Sequence, residues 1–243
     1  MIRYQEDINY VSQLDLPWDK LKNKTVLISG ASGMIGSFLI RVLLTRVNTV
    51  KVLAVSRNAE KARAQLEEYW DYRNFTFLAH DINTPLLNIP SADYIIHAAS
   101  NTHPVAYASD PIGTITTNIL GTCHLLNYAA ENHAERFLFV SSVEVYGENR
   151  GDQEYFDESY CGYIDCNTLR AGYPESKRAG EALCQAYKKA HDLDIVIARL
   201  ARTYGPSMLQ SDSKAIAQFI KNGIAGKNIA LKSEGNQLYS YNY

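Results

Sequence analysis

Long apolar runs are missing from this 243-residue chain. None approaches the roughly 18 consecutive apolar residues of a membrane-spanning helix, so no membrane role is expected. Cysteine is scarce: the sequence has 4, Cys123, Cys161, Cys166 and Cys184, with no CxxC pair among them. That density excludes a disulfide scaffold and leaves free thiols, with no metal site, as the expectation. The first residues, Met1 to Asp7, lack the apolar stretch of a signal peptide, and a cytoplasmic setting follows. Neither sign of charge dominates, with 24 Lys+Arg against 26 Asp+Glu and a net charge of -2. Proteins that coat nucleic acid carry a basic footprint. This chain has none, nor a basic stripe interleaved with aromatics, so a nucleic-acid partner is not expected. Repeats, heptads and low-complexity tracts are also absent from the sequence. What is present, 46% hydrophobic and 21% charged residues, is a globular composition able to bury a core as one large domain or two small ones.

Apolar runs and helical periodicity alternate. Strand candidates are Thr25–Ser29, Val50–Val55, Phe75–Leu78, Tyr94–His97, Phe137–Val140 and Ile195–Ala198. Helical patterns lie between them, at Ile35 to Leu43, Ala59–Tyr69, Ile115–Glu131 and Glu175–Ala190. Strand alternating with helix predicts an α/β fold, a doubly wound parallel sheet covered on both faces. Residues 147–172 break the pattern, and a long irregular segment in a compact domain is usually functional. After Gly205-Pro206 come a helix candidate, Ser213–Ala225, a short strand candidate, Ile229–Leu231, and a strand-like end, Tyr239–Tyr243.

Between the first strand and the first helix lies Gly30-Ala-Ser32-Gly33-Met34-Ile35-Gly36. A chain that must turn tightly, present backbone N–H groups to a pyrophosphate and pack its helix close to the strand has no room for Cβ atoms. In this context the pattern predicts dinucleotide binding. An NAD site often has an acid at the end of the second strand for the ribose 2′-hydroxyl. Here that strand ends Ser56-Arg57. Arg57 could meet the 2′-phosphate of NADP or stand solvated at a helix entrance, and these residues alone leave NAD and NADP open.

After the fifth strand candidate comes Ser141-Ser142-Val143-Glu144-Val145-Tyr146-Gly147, and later Tyr173-Pro174-Glu175-Ser176-Lys177. Residues four apart share a helix face, and Pro174 sets Tyr173 at the helix entrance. An ammonium beside a phenol favours the phenolate, drawing Tyr173 below its usual pKa near 10 and toward use as a general base. Ser142 can bond the same substrate oxygen.

With these motifs in order, the sequence resembles the extended short-chain dehydrogenase/reductase family of nucleotide-sugar epimerases, dehydratases and decarboxylases, over nearly the whole chain. Its fold is the Rossmann fold with a smaller substrate lobe. The resemblance implies that Asp81-Ile82 lie at the adenine, that His97-Ala98-Ala99 form the nicotinamide-side loop and that Asn118 is a structural asparagine. Arg199 and Tyr204-Gly205-Pro206 resemble the passage into the sugar-nucleotide lobe. Similarity is greatest to UDP-glucuronate decarboxylases (Ala79-His80-Asp81-Ile82, Pro85-Leu86, Asp110-Pro111-Ile112, Arg170-Ala-Gly-Tyr173, Lys177-Arg178) and next to dTDP-glucose 4,6-dehydratases. Glu144 matches a glutamate of both groups that 4-epimerases usually lack. Three positions depart: Val143 stands where those groups carry aspartate or serine, Arg202 where they carry a diphosphate-binding asparagine, and Tyr239 where decarboxylases carry arginine.

The resemblance implies catalytic Ser142, Glu144, Tyr173 and Lys177, with Ser142 and Arg202 on the substrate. It implies a cofactor site of Gly30, Ser32, Gly33, Met34, Ile35, Gly36, Ser56, Arg57, Asp81, Ile82, His97, Ala98, Ala99, Asn118, Tyr173 and Lys177. The expected reaction oxidises the sugar at C4 and then eliminates carbon dioxide or water. Relatives hold NAD, act on nucleotide sugars and pair as homodimers. The alternatives are a UDP-sugar 4-epimerase, distinguished by product mass, and a non-catalytic dinucleotide-sensing module, against which the Ser142, Tyr173 and Lys177 set argues. The expected domains are residues 1–204, binding dinucleotide, and residues 205–243, the start of a C-terminally truncated sugar-nucleotide lobe.

Overall fold

The computed structural model describes residues 2–101, 109–208, 212, 214–231, 234 and 239–243. Six strands alternate with helices: β1 (Thr25–Ser29), β2 (Lys51–Ser56), β3 (Phe75–Ala79), β4 (Tyr94–His97), β5 (Arg136–Ser142) and β6 (Ile195–Leu200). Among the described residues they form one sheet, parallel throughout, in the order β3-β2-β1-β4-β5-β6. Among the described residues the α-helices of eight residues or more are α1 (Ile2–Gln13), α2 (Met34–Arg46), α3 (Ala59–Leu66), α4 (Pro111–Glu131), α5 (Gly172–His191) and α6 (Ala215–Ile224). Strand order reverses between β1 and β4, and the crevice beyond their carboxyl ends is where such sheets hold ligands.

Successive side chains of a strand point to opposite faces, and β1 shows how both faces become buried. Val26 and Ile28 join Ile40 and Leu43 of α2, with Val52, Ala54 and Leu66, in one core. Leu27 points the other way and joins Leu53, Ile95, Phe137 and Phe139 under Leu125 and Leu126 of α4 and Cys184 of α5. A parallel sheet covered in this way reads as continuous apolar runs, which is what the sequence carries. The fold is a doubly wound α/β sheet of the Rossmann type.

Two strands, Thr25–Ser29 and Tyr94–His97, fall where the sequence places them; the others shift by one or two residues. Helix α4 starts earlier than the expected Ile115, because the Asp110 side chain accepts from the Gly113 N–H at 2.9 Å and Pro111 occupies the first turn. The expected strand Ile229–Leu231 is not formed: Ile229 and Leu231 are exposed and the segment joins no ladder among the described residues. The next helix candidate is α6, and Ser213, proposed as its start, lies outside the described residues. Tyr239–Tyr243 contributes β8 (Tyr241–Asn242), which pairs in parallel with β7 (Arg202–Thr203). Helix α1 was not anticipated. It buries Ile8, while Arg41 of α2 donates to the Glu68 carboxylate at 2.8 Å and sits 5.1 Å from the centre of the Tyr4 ring. No described helix is long and apolar enough to cross a membrane.

Phe137 is fully buried, whereas Val196 on the neighbouring strand is 40% exposed. Phe137→Ala is expected to cost about 3–5 kcal/mol through lost burial and a residual cavity. Val196→Ala is expected to cost within about 0.5 kcal/mol. Urea unfolding of the two variants checks both values.

Candidate active site

The turn after β1 is packed backbone to backbone. Gly30 adopts φ +74°, and a Cβ there would stand 2.8 Å from the Ala98 carbonyl and the Ala99 nitrogen. A Cβ on Gly36 would stand 2.4 Å from the Gly30 carbonyl oxygen. Gly33 precedes α2 with no side-chain cap, so the first-turn N–H groups of the helix face the loop, the arrangement that receives an anion. These residues fit the pyrophosphate of a dinucleotide. Ser32 and Ser56 join the end of β2 to this turn, Oγ to Oγ, at 2.8 Å.

The remaining residues of the expected cofactor set divide by burial. Asp81 is partly exposed, and its Oδ1 accepts from the Asn83 N–H at 3.0 Å. Ile82 is instead a core residue, packed where a Cβ on Gly121 would meet its Cδ1 at 2.5 Å. Its side chain is therefore held in the core against Gly121 of α4. His97 is likewise fully buried, with Nδ1 2.9 Å from Ser29 Oγ and Nε2 3.0 Å from Thr122 Oγ1. Burial drives its pKa well below 6.5 and keeps the ring neutral. Both ring nitrogens are engaged, so His97 positions the Ala98–Ala99 loop and presents no ring atom to it. Ser29 Oγ also accepts from the Ala99 N–H at 3.3 Å.

Asn118 bridges two segments, accepting from Ser100 Oγ at 2.7 Å and donating to Ser176 Oγ at 2.8 Å. Ser176 in turn donates to the Tyr173 carbonyl at 2.8 Å. Ser29, Ser100, Thr122 and Ser176 support the site without a signature in the sequence, because short polar side chains in apolar elements carry no motif. Their signal is a hydrogen bond to a named residue, with burial for Ser29, Thr122 and Ser176, visible only in three dimensions.

At the end of β5, Ser142 caps the single 3-10 turn Val143–Tyr146 by accepting from the Glu144 N–H at 3.2 Å. Tyr173, in the first turn of α5, is 7% exposed. Burial pushes its phenol up to about 12, a hydrogen bond with Ser142 opposes this, and the nearby Glu144 charge adds to it. The structure thus brings Ser142, Glu144 and Tyr173 together. Lys177, 2% exposed, donates to the Val140 carbonyl at 2.8 Å and lies 4.8 Å from the centre of the Phe139 ring. Burial lowers its pKa to about 8. The expected depression of Tyr173 below 10 is therefore not found among the chain's own groups: desolvation exceeds what Ser142 returns, and the Lys177 ammonium is directed at a carbonyl.

The irregular segment is tied down by two arginines. Arg178 donates to the Val145 carbonyl at 2.7 Å and the Gly162 carbonyl at 2.8 Å. Arg199 donates to the Glu158 carbonyl at 2.7 Å and pairs with Glu181 at 2.7 Å. Arg202, on β7, lies with its guanidinium 3.5 Å from the centre of the Tyr239 ring.

Gly36→Ala is expected to weaken dinucleotide binding at least about tenfold, although alanine otherwise favours a helix by about 0.5–1 kcal/mol over glycine. Gly223→Ala in α6, where a Cβ meets nothing within 4 Å, leaves binding intact; calorimetric titration compares them. Lys177 generates a second expectation. Between its folded pKa of about 8 and its ordinary 10.5, the unfolded chain holds a proton that the folded chain has released, so this group adds stability as pH rises through that window. Lys177→Met removes that gain, which urea unfolding on either side of the window detects.

The profile of the NAD dependent epimerase/dehydratase family matches residues 26–243. UDP-glucuronic acid decarboxylase 5 of Arabidopsis thaliana is 33% identical over 221 residues, covering 91% of this chain and 63% of that protein. This chain therefore spans less than two thirds of the length of that curated relative. Among solved structures, a UDP-glucuronic acid 4-epimerase of Bacillus cereus, in complex with UDP-glucuronic acid and NAD, matches with TM-score 0.75 and 25% identity, covering 90% of this chain and 69% of that one. A dTDP-glucose 4,6-dehydratase of Streptomyces venezuelae with NAD bound matches with TM-score 0.75 and 26% identity, covering 89% and 67%. The chain belongs to the NAD dependent epimerase/dehydratase family.

Proposed function

We propose that the chain oxidises C4 of a nucleotide sugar, with Tyr173 as proton acceptor, and that the resulting 4-keto sugar loses carbon dioxide or water. The observation that carries this reading is the convergence of Ser142, Glu144 and Tyr173 at the carboxyl end of β5, over the buried Lys177. A bound dinucleotide supplies a hydride acceptor, a positive charge while oxidised and a hydride donor afterwards. NAD is the form solved with the relatives.

Tyr173 takes the proton of the C4 hydroxyl while Ser142 Oγ bonds the same oxygen. An opposite charge moves a pKa by about 1–3 units, less than the gap between about 12 and neutrality. The phenolate therefore needs both the Lys177 ammonium and the charge of the bound nicotinamide. The ketone acidifies the C–H at C5 or weakens its bond to a carboxylate, and Glu144 moves the second proton. Arg202 holds the diphosphate by charge-assisted hydrogen bonds.

Residues 1–204 form the dinucleotide-binding domain in this reading, and residues 205–243 begin the sugar-nucleotide lobe. The exposed thiols of Cys161 and Cys166 support a reducing, cytoplasmic setting. The exposed Ile112, Ile115 and Leu120 of α4 support a homodimer. Val143 favours 4-epimerisation as the second reading, since that reaction needs neither the aspartate nor the serine that lyases carry there.

Incubation with UDP-glucuronate, dTDP-glucose and UDP-glucose, followed by product mass, separates loss of carbon dioxide, loss of water and no change in mass. Tyr173→Phe is expected to lower kcat on the accepted sugar by about 10²–10⁴. Full turnover by that variant contradicts the mechanism. Dinucleotide binding with no turnover of any sugar points to a dinucleotide-sensing module.

A further inference from the structure

We infer that the adenosine-ribose subsite is built for a 2′-phosphate, so that this chain prefers the 2′-phosphorylated dinucleotide, NADP, over NAD. The inference rests on the dinucleotide reading above and concerns only the end of β2. Register places that end beside the glycine turn: Ser29 pairs with Val55, and the Ala31 N–H donates to the Val55 carbonyl at 3.2 Å. Ser56 and Ser32 touch through their hydroxyls, so Arg57 leaves the strand where the ribose of a dinucleotide on this turn must lie.

A site for an unmodified ribose uses a carboxylate at this position to accept from the 2′-hydroxyl, and that carboxylate repels a phosphate. Here the residues are Ser56, Arg57 and Asn58, which put no negative charge at the strand end. Asn58 is spent on capping α3, accepting from the Lys61 N–H at 2.7 Å. Of the neighbouring acids, Glu60 lies within the first turn of α3, and Asp81, beyond the end of β3, accepts from its own turn at Asn83. Arg57 is exposed and makes no hydrogen bond or ion pair among the described residues, although acids lie nearby in sequence. Other arginines of this chain are engaged: Arg41, Arg136, Arg178 and Arg199 all pair with carboxylates. A guanidinium offers two parallel N–H donors to a phosphate, and the Ser32 and Ser56 hydroxyls add neutral donors.

Calorimetric titration of the 243-residue chain with NADP+ and with NAD+ tests this directly, with adenosine 2′,5′-bisphosphate and 5′-AMP as fragments that isolate the subsite. NADP+ is expected to bind at least tenfold tighter than NAD+, and the bisphosphate tighter than 5′-AMP. Arg57→Ala collapses the difference between the two dinucleotides, and Ser56→Asp reverses it. Equal or tighter binding of NAD+ by the unmodified chain overturns the inference and leaves the dinucleotide reading standing. An Arg57→Ala variant that retains the NADP+ preference also overturns it. Binding of neither dinucleotide overturns both.

Discussion

Where the turn after β1 meets the loop after β4, two backbones approach so closely that no side chain fits between them. Gly30 adopts φ +74°, where a Cβ would stand 2.8 Å from Ala98 and Ala99, and this close approach lies at the reversal of strand order. It is sustained from below by a buried polar chain. Ser29 joins His97, His97 joins Thr122, Thr122 donates to the Asn118 carbonyl at 2.5 Å, and Asn118 reaches Ser176 and thence the Tyr173 backbone. Ser29, His97, Thr122, Asn118 and Ser176 each have a partner in this chain, the condition under which such a network fixes one geometry. The phosphate cradle and the entrance of α5 are thus parts of one rigid assembly, and the proposed chemistry depends on their separation being fixed.

The second support lies across the sheet. α5 crosses β5 at Gly180, where a Cβ would stand 2.6 Å from the Phe139 ring, and that close crossing brings Lys177 over the same ring. Burial there makes the ammonium costly, and a single carbonyl holds it. Arg178 of that helix, and Arg199 paired with Glu181 of it, then fasten residues 147–172 in place by donating to the Gly162 and Glu158 carbonyls of the segment. The irregular stretch also ties itself together, through the Glu148–Tyr163 bridge and through the Tyr160 hydroxyl donating to the Glu148 carbonyl at 3.2 Å and Asp152 Oδ1 at 2.9 Å, and such contacts follow no helix or strand period.

The alternation of apolar runs with helical spacing made the sheet legible, since buried parallel strands admit few polar residues. The glycine turn and the Ser142, Tyr173 and Lys177 positions were legible because each demands a residue type at fixed spacing. Other features were not. Helix α1 has few apolar positions and depends on Arg41 and Tyr4, a contact between distant segments. The Ile229–Leu231 run resembles a strand in composition yet joins no ladder among the described residues. Ile82 and His97 occupy positions matched by motif, but their side chains serve the core, because a motif records adjacency to a ligand without recording which way a residue points. The Tyr173 pKa depends on desolvation, and no sequence spacing encodes that.

In the proposed reaction C4 of a nucleotide sugar is oxidised at Tyr173, and the hydride it loses is returned within the same turnover. Single-turnover analysis of a C4-deuterated nucleotide sugar with the dinucleotide-loaded chain tests it most directly, by mass spectrometry of the quenched dinucleotide and product. Deuterium is expected on the dinucleotide at early times, followed by its recovery in the sugar product. Product formed with no deuterium ever reaching the dinucleotide contradicts it.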